Sequence, residues 1–394
     1  MDLYYFNPGC EIEVAANKAV YSLPKYPALL EHDLSALPMC FAQRGDSVLI
    51  SKTKDVDFLA FGKEIFGCNF LDFSDKKLNY SIFDNFKPWG ISPRILKMAG
   101  KYNFSQDYLQ SEVGQWHNEH RLLFSRATSA KFFDSLTSDA CYDELLLTPK
   151  KQLPRIAATW EDASAFFHSK KGGAVLKAIY GSSGRGVRIL KNNVMTPNLE
   201  NWIRSVVNIQ GAISCEHFFD KHTDFSMHYD IKGGKAKFVG ISTFNTSDTG
   251  AYVGSRVGRL ECIPYFSEDV TKQLVLLHIN ALEKSPYCHN YIGPLGIDCM
   301  VYRCNDSLKI NPCIEINCRY SMGRLAMHLA DIVATDAIFY VFPNNAKPFG
   351  TISKPIFSNG KLVGGFLPLT PNDTQMFSAG IYCLQSPPND DWRM

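Results

Sequence analysis

The sequence has no run of about 18 uncharged apolar residues, so it offers no membrane-spanning helix. It has no surplus of one charge either: 41 basic against 39 acidic side chains leave a formal net charge of +2. Coating nucleic acid or an anionic membrane needs a clustered basic excess, and both roles are set aside. The opening residues, MDLYYFNPGCEIEV, carry acidic groups where a secretory leader would have a basic segment and an apolar run. Internal repeats, low-complexity tracts and C-x-x-C pairs are missing as well. The 12 cysteines are scattered without zinc-ligand spacing, which reads as reduced thiols packed as small hydrophobes in a cytoplasmic protein.

What is present is a globular composition. Of 394 residues, 45% are hydrophobic and 13% aromatic, enough to build substantial cores and too much for global disorder. At about 150 residues per domain the length suggests two or three domains. Strand-like and helix-like segments alternate, which favours an α/β (α+β) architecture. DSVLISK, residues 46–52, reads as a buried strand, and a second strand is expected around 66–73. Residues 106–124 are polar and helix-compatible. Ser125 to Leu136 has helical apolar spacing, and Trp160 to Lys170 is a helix with Thr159 as its N-cap. The interrupted stretch 145–160 is a connector or edge strand. The segment 172–190 reads as strand, glycine loop, strand, and Lys232-Gly233-Gly234-Lys235 as a hairpin turn. A long helix follows over Glu268 to Glu283, then two apolar strands, PLGIDCMVYR and LKINPCIEIN, then a helix through Met327 and Ile338. Residues from Pro343 to Met394 look irregular or short-stranded.

Four signals carry chemistry. The first is Gly181-Ser182-Ser183-Gly184-Arg185-Gly186 with Lys177 on the strand before it: backbone amides of a glycine turn approach phosphate oxygens closely, and a lysine adds a point charge. A surface hairpin needing positive φ is the plain alternative. The second is Glu216 at a strand end with Asp224 after it, positions suited to an adenine edge and a ribose, or else two solvated acids. The third is Asp298 in GIDCMVY with Glu315 and Asn317 in CIEIN. Glu315 and Asn317 share one strand face, and two carboxylates with an amide oxygen are hard ligands that suit Mg²⁺. Ion pairs to Arg303 or Arg319 weigh equally against that reading. The fourth is Arg319, whose guanidinium beside a metal would neutralise charge on a transferring phosphoryl group, or form a salt bridge to Glu315 or Asp298.

Taken in order from about Ser125 to His328, these segments, VLKAIYGSSGRGV, PLGIDCMVY and CIEINCRYSMG above all, resemble the ATP-grasp superfamily. The resemblance implies a fold of two α+β subdomains clasping ATP behind a small N-terminal α/β domain. Its boundaries fall at residues 1–115 for the N-terminal domain, 116–215 for the central subdomain with its glycine flap, and 216–394 for the C-terminal subdomain with the metal site. By the same resemblance Lys177 holds the nucleotide phosphates under a flap that includes Gly181, Ser182, Ser183, Gly184 and Gly186. Arg126 stands where many members have a lysine, with Lys131 as the alternative. Glu216 opens the adenine hinge, Asp224 meets the ribose, and Asp298, Glu315 and Asn317 bind Mg²⁺ or Mn²⁺. Arg319 stabilises the transferred group.

The activity so implied is carboxylate–amine ligation. ATP phosphorylates a substrate carboxylate, and an amine or thiol displaces phosphate from the acyl phosphate. The substrates are small-molecule or peptide acids and amines, with Arg256 and Arg259 in the loop 245–259 as candidate carboxylate or phosphate binders. A homodimer is compatible with the sequence. A kinase on the same scaffold and a non-catalytic nucleotide-binding protein are the competing readings.

Overall fold

The computed structural model describes residues 1–181, 186–192, 194–247, 250–346 and 353–384, and the structural statements that follow concern those residues. They form two compact units. The first gathers Met1–His117, Val253–Arg259 and Arg319–Met394; the second gathers Asn118–Tyr252 and Leu260–Cys318.

The first unit opens with a parallel sheet of β1 (Asp2–Tyr5), β2 (Ser47–Ile50), β3 (Asn69–Asp72) and β4 (Asn85–Pro88), in the order β3-β2-β1-β4. All four residues of β2, SVLI, are buried, as an unbroken apolar run in a parallel strand should be. The strand expected at 66–73 is shorter. Phe66 ends the helix Val56–Phe66, which Gly67 stops at φ 72°. The segment 106–124 is broken into a helix at Gln106–Gln110, a tight turn at Glu112–Gly114 and a helix at Asn118–Leu123. Ser111, in extended conformation between the first two, interrupts the helical ladder. From β1 the chain runs outward to β2 and β3, then returns to β4 on the other side. The carboxyl ends of β1 and β4 therefore flank a topological switch point, where open α/β sheets tend to bind ligands.

The second unit has two layers of strand. Its smaller sheet contains β5 (Arg155–Ala157), β6 (Ala174–Ala178), β7 (Val187–Leu190) and β8 (Ile213–His217), ordered β5-β8-β6-β7 with every pair antiparallel. The strand, glycine loop, strand pattern is thus the hairpin β6–β7, and β5 is an edge strand. Helices Trp160–His168 and Pro197–Gln210 pack on this sheet around Phe167, Leu176, Ile203 and Ile213, all fully buried. Each such side chain contributes about 1.5–3 kcal/mol. Thr159 caps the first helix by accepting the Asp162 amide at 3.1 Å.

The larger strands follow. β9 (Asp220–Lys232) and β10 (Lys235–Thr246) form the expected hairpin, with Gly233 and Gly234 both at positive φ as a two-residue turn of this twist requires. The next strand, β11 (Tyr252–Arg256), lies almost wholly in the first unit. After the helix Glu268–Glu283, β12 (Gly293–Cys304) and β13 (Ser307–Asn317) complete the order β13-β12-β9-β10.

The remainder returns to the first unit. The helix expected through Met327 and Ile338 stops at His328; Ile338 lies in β14 (Ala337–Pro343). The run AIFYVF is rich in aromatic and β-branched residues, and as a buried strand it fits better than as a helix. β15 (Ile356–Ser358) pairs with β16 (Lys361–Gly364), while β17 (Phe366–Pro368) and β18 (Phe377–Cys383) extend the order β11-β14-β18-β17. The fully buried Asp33 carboxylate anchors this return by accepting the amides of Gln375, Met376 and Phe377 at 2.7–2.9 Å. All twelve cysteines are free thiols. No helix among the described residues is long and apolar enough to cross a membrane.

Candidate active site

Lys177 sits on β6 in register with Ser214 on β8, where it is 7% exposed. A buried ammonium needs a partner. Its Nζ meets Glu216 Oε2 at 2.7 Å, and Ser214 donates to the other carboxylate oxygen at 3.0 Å. The pair places a cation at the last turns of β6, directly before the glycine segment. Of that segment, Gly181 and Gly186 are described; Ser182, Ser183 and Gly184 lie outside the described residues. Gly186 holds φ at +74°, which disfavours any residue with a Cβ, and its carbonyl accepts the Ala178 amide at 2.8 Å.

Arg126 is the first residue of the helix Arg126–Leu136, which Ser125 caps by accepting the Ala127 amide. Its backbone N–H donates to Ile179 O at 3.0 Å, and its guanidinium donates to Ala178 O at 2.6 Å and Gly181 O at 3.3 Å. The same guanidinium meets both carboxylate oxygens of Glu315, at 2.8 and 3.1 Å. One side chain therefore joins the end of β6 to β13. Lys131, the alternative to Arg126 in the sequence, lines a different cavity, between helices.

Asp298 and Glu315 are register partners across β12 and β13, as are Gly296 and Asn317, so all three candidate ligands share one sheet face. Ser226 on β9 donates to Asp298 Oδ1, and Asn317 Nδ2 donates to Oδ2 at 2.9 Å. Cys313, two residues before Glu315, is buried, with its thiol 3.9 Å from Ser129 O. Burial pushes its thiol well above the usual range, Glu216, Asp298 and Glu315 add to that, and Lys177 opposes it. Ser226 was not singled out in the sequence, because its approach to Asp298 is set by the pairing of distant strands.

The donor chemistry fits a hard divalent cation: two carboxylates and an amide oxygen on paired strands. No three His, Cys, Asp or Glu side chains among the described residues surround one point, so the amide of Asn317 is needed to complete the set.

Asp224, in the second unit, is engaged by Lys221 Nζ at 2.6 Å and by Thr246 Oγ1 at 3.0 Å. Arg319, Arg256 and Arg259 belong to the first unit. The Arg319 Nε donates to Glu11 and its Nη1 to Tyr320 O at 3.0 Å. Arg256 pairs with Asp336 at 2.6 Å, and Arg259 is exposed.

A second charged group lies at the switch point of the parallel sheet. Glu13, fully buried, accepts from Ser92 and from Arg94 Nε at 2.7 Å; Arg94 also meets Glu31 at 2.6 Å, and Tyr5 donates to Glu31 at 2.6 Å. Burial raises the Glu31 carboxyl above its ordinary range, with Arg94 pulling it back. With Glu11 and Arg319 the cluster holds three carboxylates against two guanidinium groups. FNPGCEIEV announced an unusual mix of charge and turn residues; what hid the site was that Arg94 and Arg319 arrive from distant segments.

No family model matches the chain, and no curated protein sequence does. Solved structures do resemble it. Biotin carboxylase from Campylobacter jejuni, in a β-γ-ATP complex, superposes at TM-score 0.52 with 14% identity over 98% of this chain and 87% of that one. Phosphoribosylamine–glycine ligase from Thermotoga maritima superposes at TM-score 0.51 with 13% identity over 98% and 93%. The chain has the ATP-grasp fold.

Proposed function

We propose that the protein is an ATP- and Mg²⁺-dependent ligase that activates a carboxylate for attack by an amine. The observation that carries this reading is a chain of contacts within one unit: Lys177 pairs with Glu216, Arg126 joins the end of the Lys177 strand to Glu315, and Asp298 lies opposite Glu315. That is the charge pattern expected where anionic phosphates must approach an anionic substrate.

In this reading Lys177 takes the nucleotide phosphates, beneath the segment that starts at Gly181, and Arg126 holds the end of β6 in place for it. Glu216 fixes the Lys177 ammonium, so that affinity and position come from the same pair. The strand that continues from Glu216 presents its backbone to the adenine, and Asp224 accepts from the ribose. Asp298, Glu315 and Asn317 hold Mg²⁺, which supplies charge neutralisation at the transferring phosphoryl group. Arg319 for the transferred group, and Arg256 and Arg259 for the acid, keep the roles that the resemblance implies. The acid-rich switch-point cluster around Glu11, Glu13 and Glu31 suits an ammonium-bearing acceptor, because its carboxylates outnumber its guanidinium groups.

The test is product analysis with ATP and Mg²⁺. ADP should appear only when a carboxylic acid and an amine are supplied together. A phosphorylated alcohol, or no turnover with any mixed pool, overturns the reading.

A further inference from the structure

Away from that site, the second unit contains a cavity of about 440 Å³ between the helix Arg126–Leu136 and the helices Glu268–Glu283 and Pro286–His289. The size is that of a small-molecule pocket. Phe132, Leu136, Leu277 and Tyr287, each at most 3% exposed, contribute to its wall. Lys131 and Lys284 stand at its exposed rim.

The polar side chains sort by what they already do. Thr128, Ser135 and Ser285 donate to the carbonyls of Leu122, Phe132 and Leu282, each at 2.7 Å. Asp139 accepts the Cys141 amide and caps the turn that follows. Neither Lys131 nor Lys284 forms an ion pair within 4 Å among the described residues, and Asp139 feels the charge of Lys284 from further off. The charged donors at the cavity are two ammonium groups over an apolar floor, with the exposed Ser138 and Asn280 beside them and without the guanidinium fork or nest of amides that a polyphosphate uses.

We propose that this cavity binds a small apolar monoanion, a carboxylate or sulfonate carried on a ring or short hydrocarbon body. The body fills the space against Phe132 and Leu277, and the anion lies between the two lysines. The floor is not isolated from the rest of the unit. Tyr287 OH lies 3.3 Å from Ser129 Oγ, and that oxygen accepts the amide of Ile316, the residue after Glu315.

The experiment titrates the full chain with 8-anilinonaphthalene-1-sulfonate by fluorescence, with and without saturating ADP. One saturable site of micromolar affinity, unaffected by ADP, is expected. Lys131→Met/Lys284→Met keeps both stems and removes both charges, and should weaken binding about tenfold or more. Lys272→Met, on the same long helix and paired with Glu268, should leave affinity unchanged. Matching thermal melts for all three proteins show that they are folded. Equal affinity in the double variant, equal loss in Lys272→Met, or release of the dye by ADP each overturns the proposal. A protein that binds no ADP would undo the ligase reading alone, because the titration without nucleotide still reports on the cavity.

Discussion

Arg126 and Glu315 are 189 residues apart in the chain and 2.8 Å apart in the fold. The bond ties the first turn of a helix to the strand that carries two of the candidate metal ligands. It gives Glu315 a defined orientation before any cation arrives, at the cost of a partner that the cation must share.

Glu315→Gln keeps the volume and removes the charge. Turnover should fall by about 10²-fold or more, with the circular dichroism spectrum unchanged. A variant that turns over normally in steady-state assays of ADP release rejects Glu315 as a metal ligand.

Lys177→Met strands a buried carboxylate at Glu216, which is 8% exposed. Breaking a pair of this kind costs about 3–5 kcal/mol, whereas removing both charges costs far less. Lys177→Met should therefore lower the denaturation midpoint, and Lys177→Met/Glu216→Gln should restore it. ATP affinity, measured calorimetrically, should stay weakened about tenfold or more in both. Recovery of affinity together with stability would assign Lys177 to the fold alone.

Arg319 can be dissected in the same way through Glu11, to which it donates. Arg319→Met should destabilise the first unit, and Glu11→Gln in that background should recover stability. Should the double variant also recover turnover, Arg319 has no part in the chemistry.

His278 sets a pH dependence. Fully buried, it lies 2.9 Å from both Tyr229 OH and Pro312 O, and burial lowers its pKa from 6.5 to about 3, with the Pro312 bond opposing. The unfolded imidazole takes a proton as pH drops through about 6.5, while the folded one stays neutral. Stability contributed by this group is thus present above 6.5 and declines by up to about 1.4 kcal/mol per unit down to about 3. Urea midpoints at pH 7.5 and 5.0 should differ more in the parent than in His278→Gln; identical differences would show that His278 is not responsible.

Much of this was legible before coordinates. Apolar spacing marked the helix Glu268–Glu283 residue for residue, and Thr159 signalled its helix as an N-cap, while Ser125, read as the first helical residue, is the cap of the helix Arg126–Leu136. The i, i+2 rule put Glu315 and Asn317 on one face, and Gly233-Gly234 declared its hairpin. The sequence could not show pairings set by tertiary distance. Asp298 and Glu315 were weighed against Arg303 and Arg319 as ion-pair partners, yet Arg126 holds Glu315, and Arg319 goes to Glu11 in the other unit. Ile338 was misread because AIFYVF is apolar throughout, and such a run has no period to tell a helix from a buried strand.

The anchoring of residues 375–377 by Asp33 has a consequence for synthesis. A nascent chain that has emerged only through residue 117 holds the strands of the parallel sheet but not the three amides that Asp33 accepts, so that carboxylate has only His32 beside it until residues 375–377 follow. The second unit has all its segments by residue 318. Of the two units, the one begun earlier is therefore completed later, and nascent chains stalled before residue 375 should be more open to protease around Asp33 than chains that include residues 375–377.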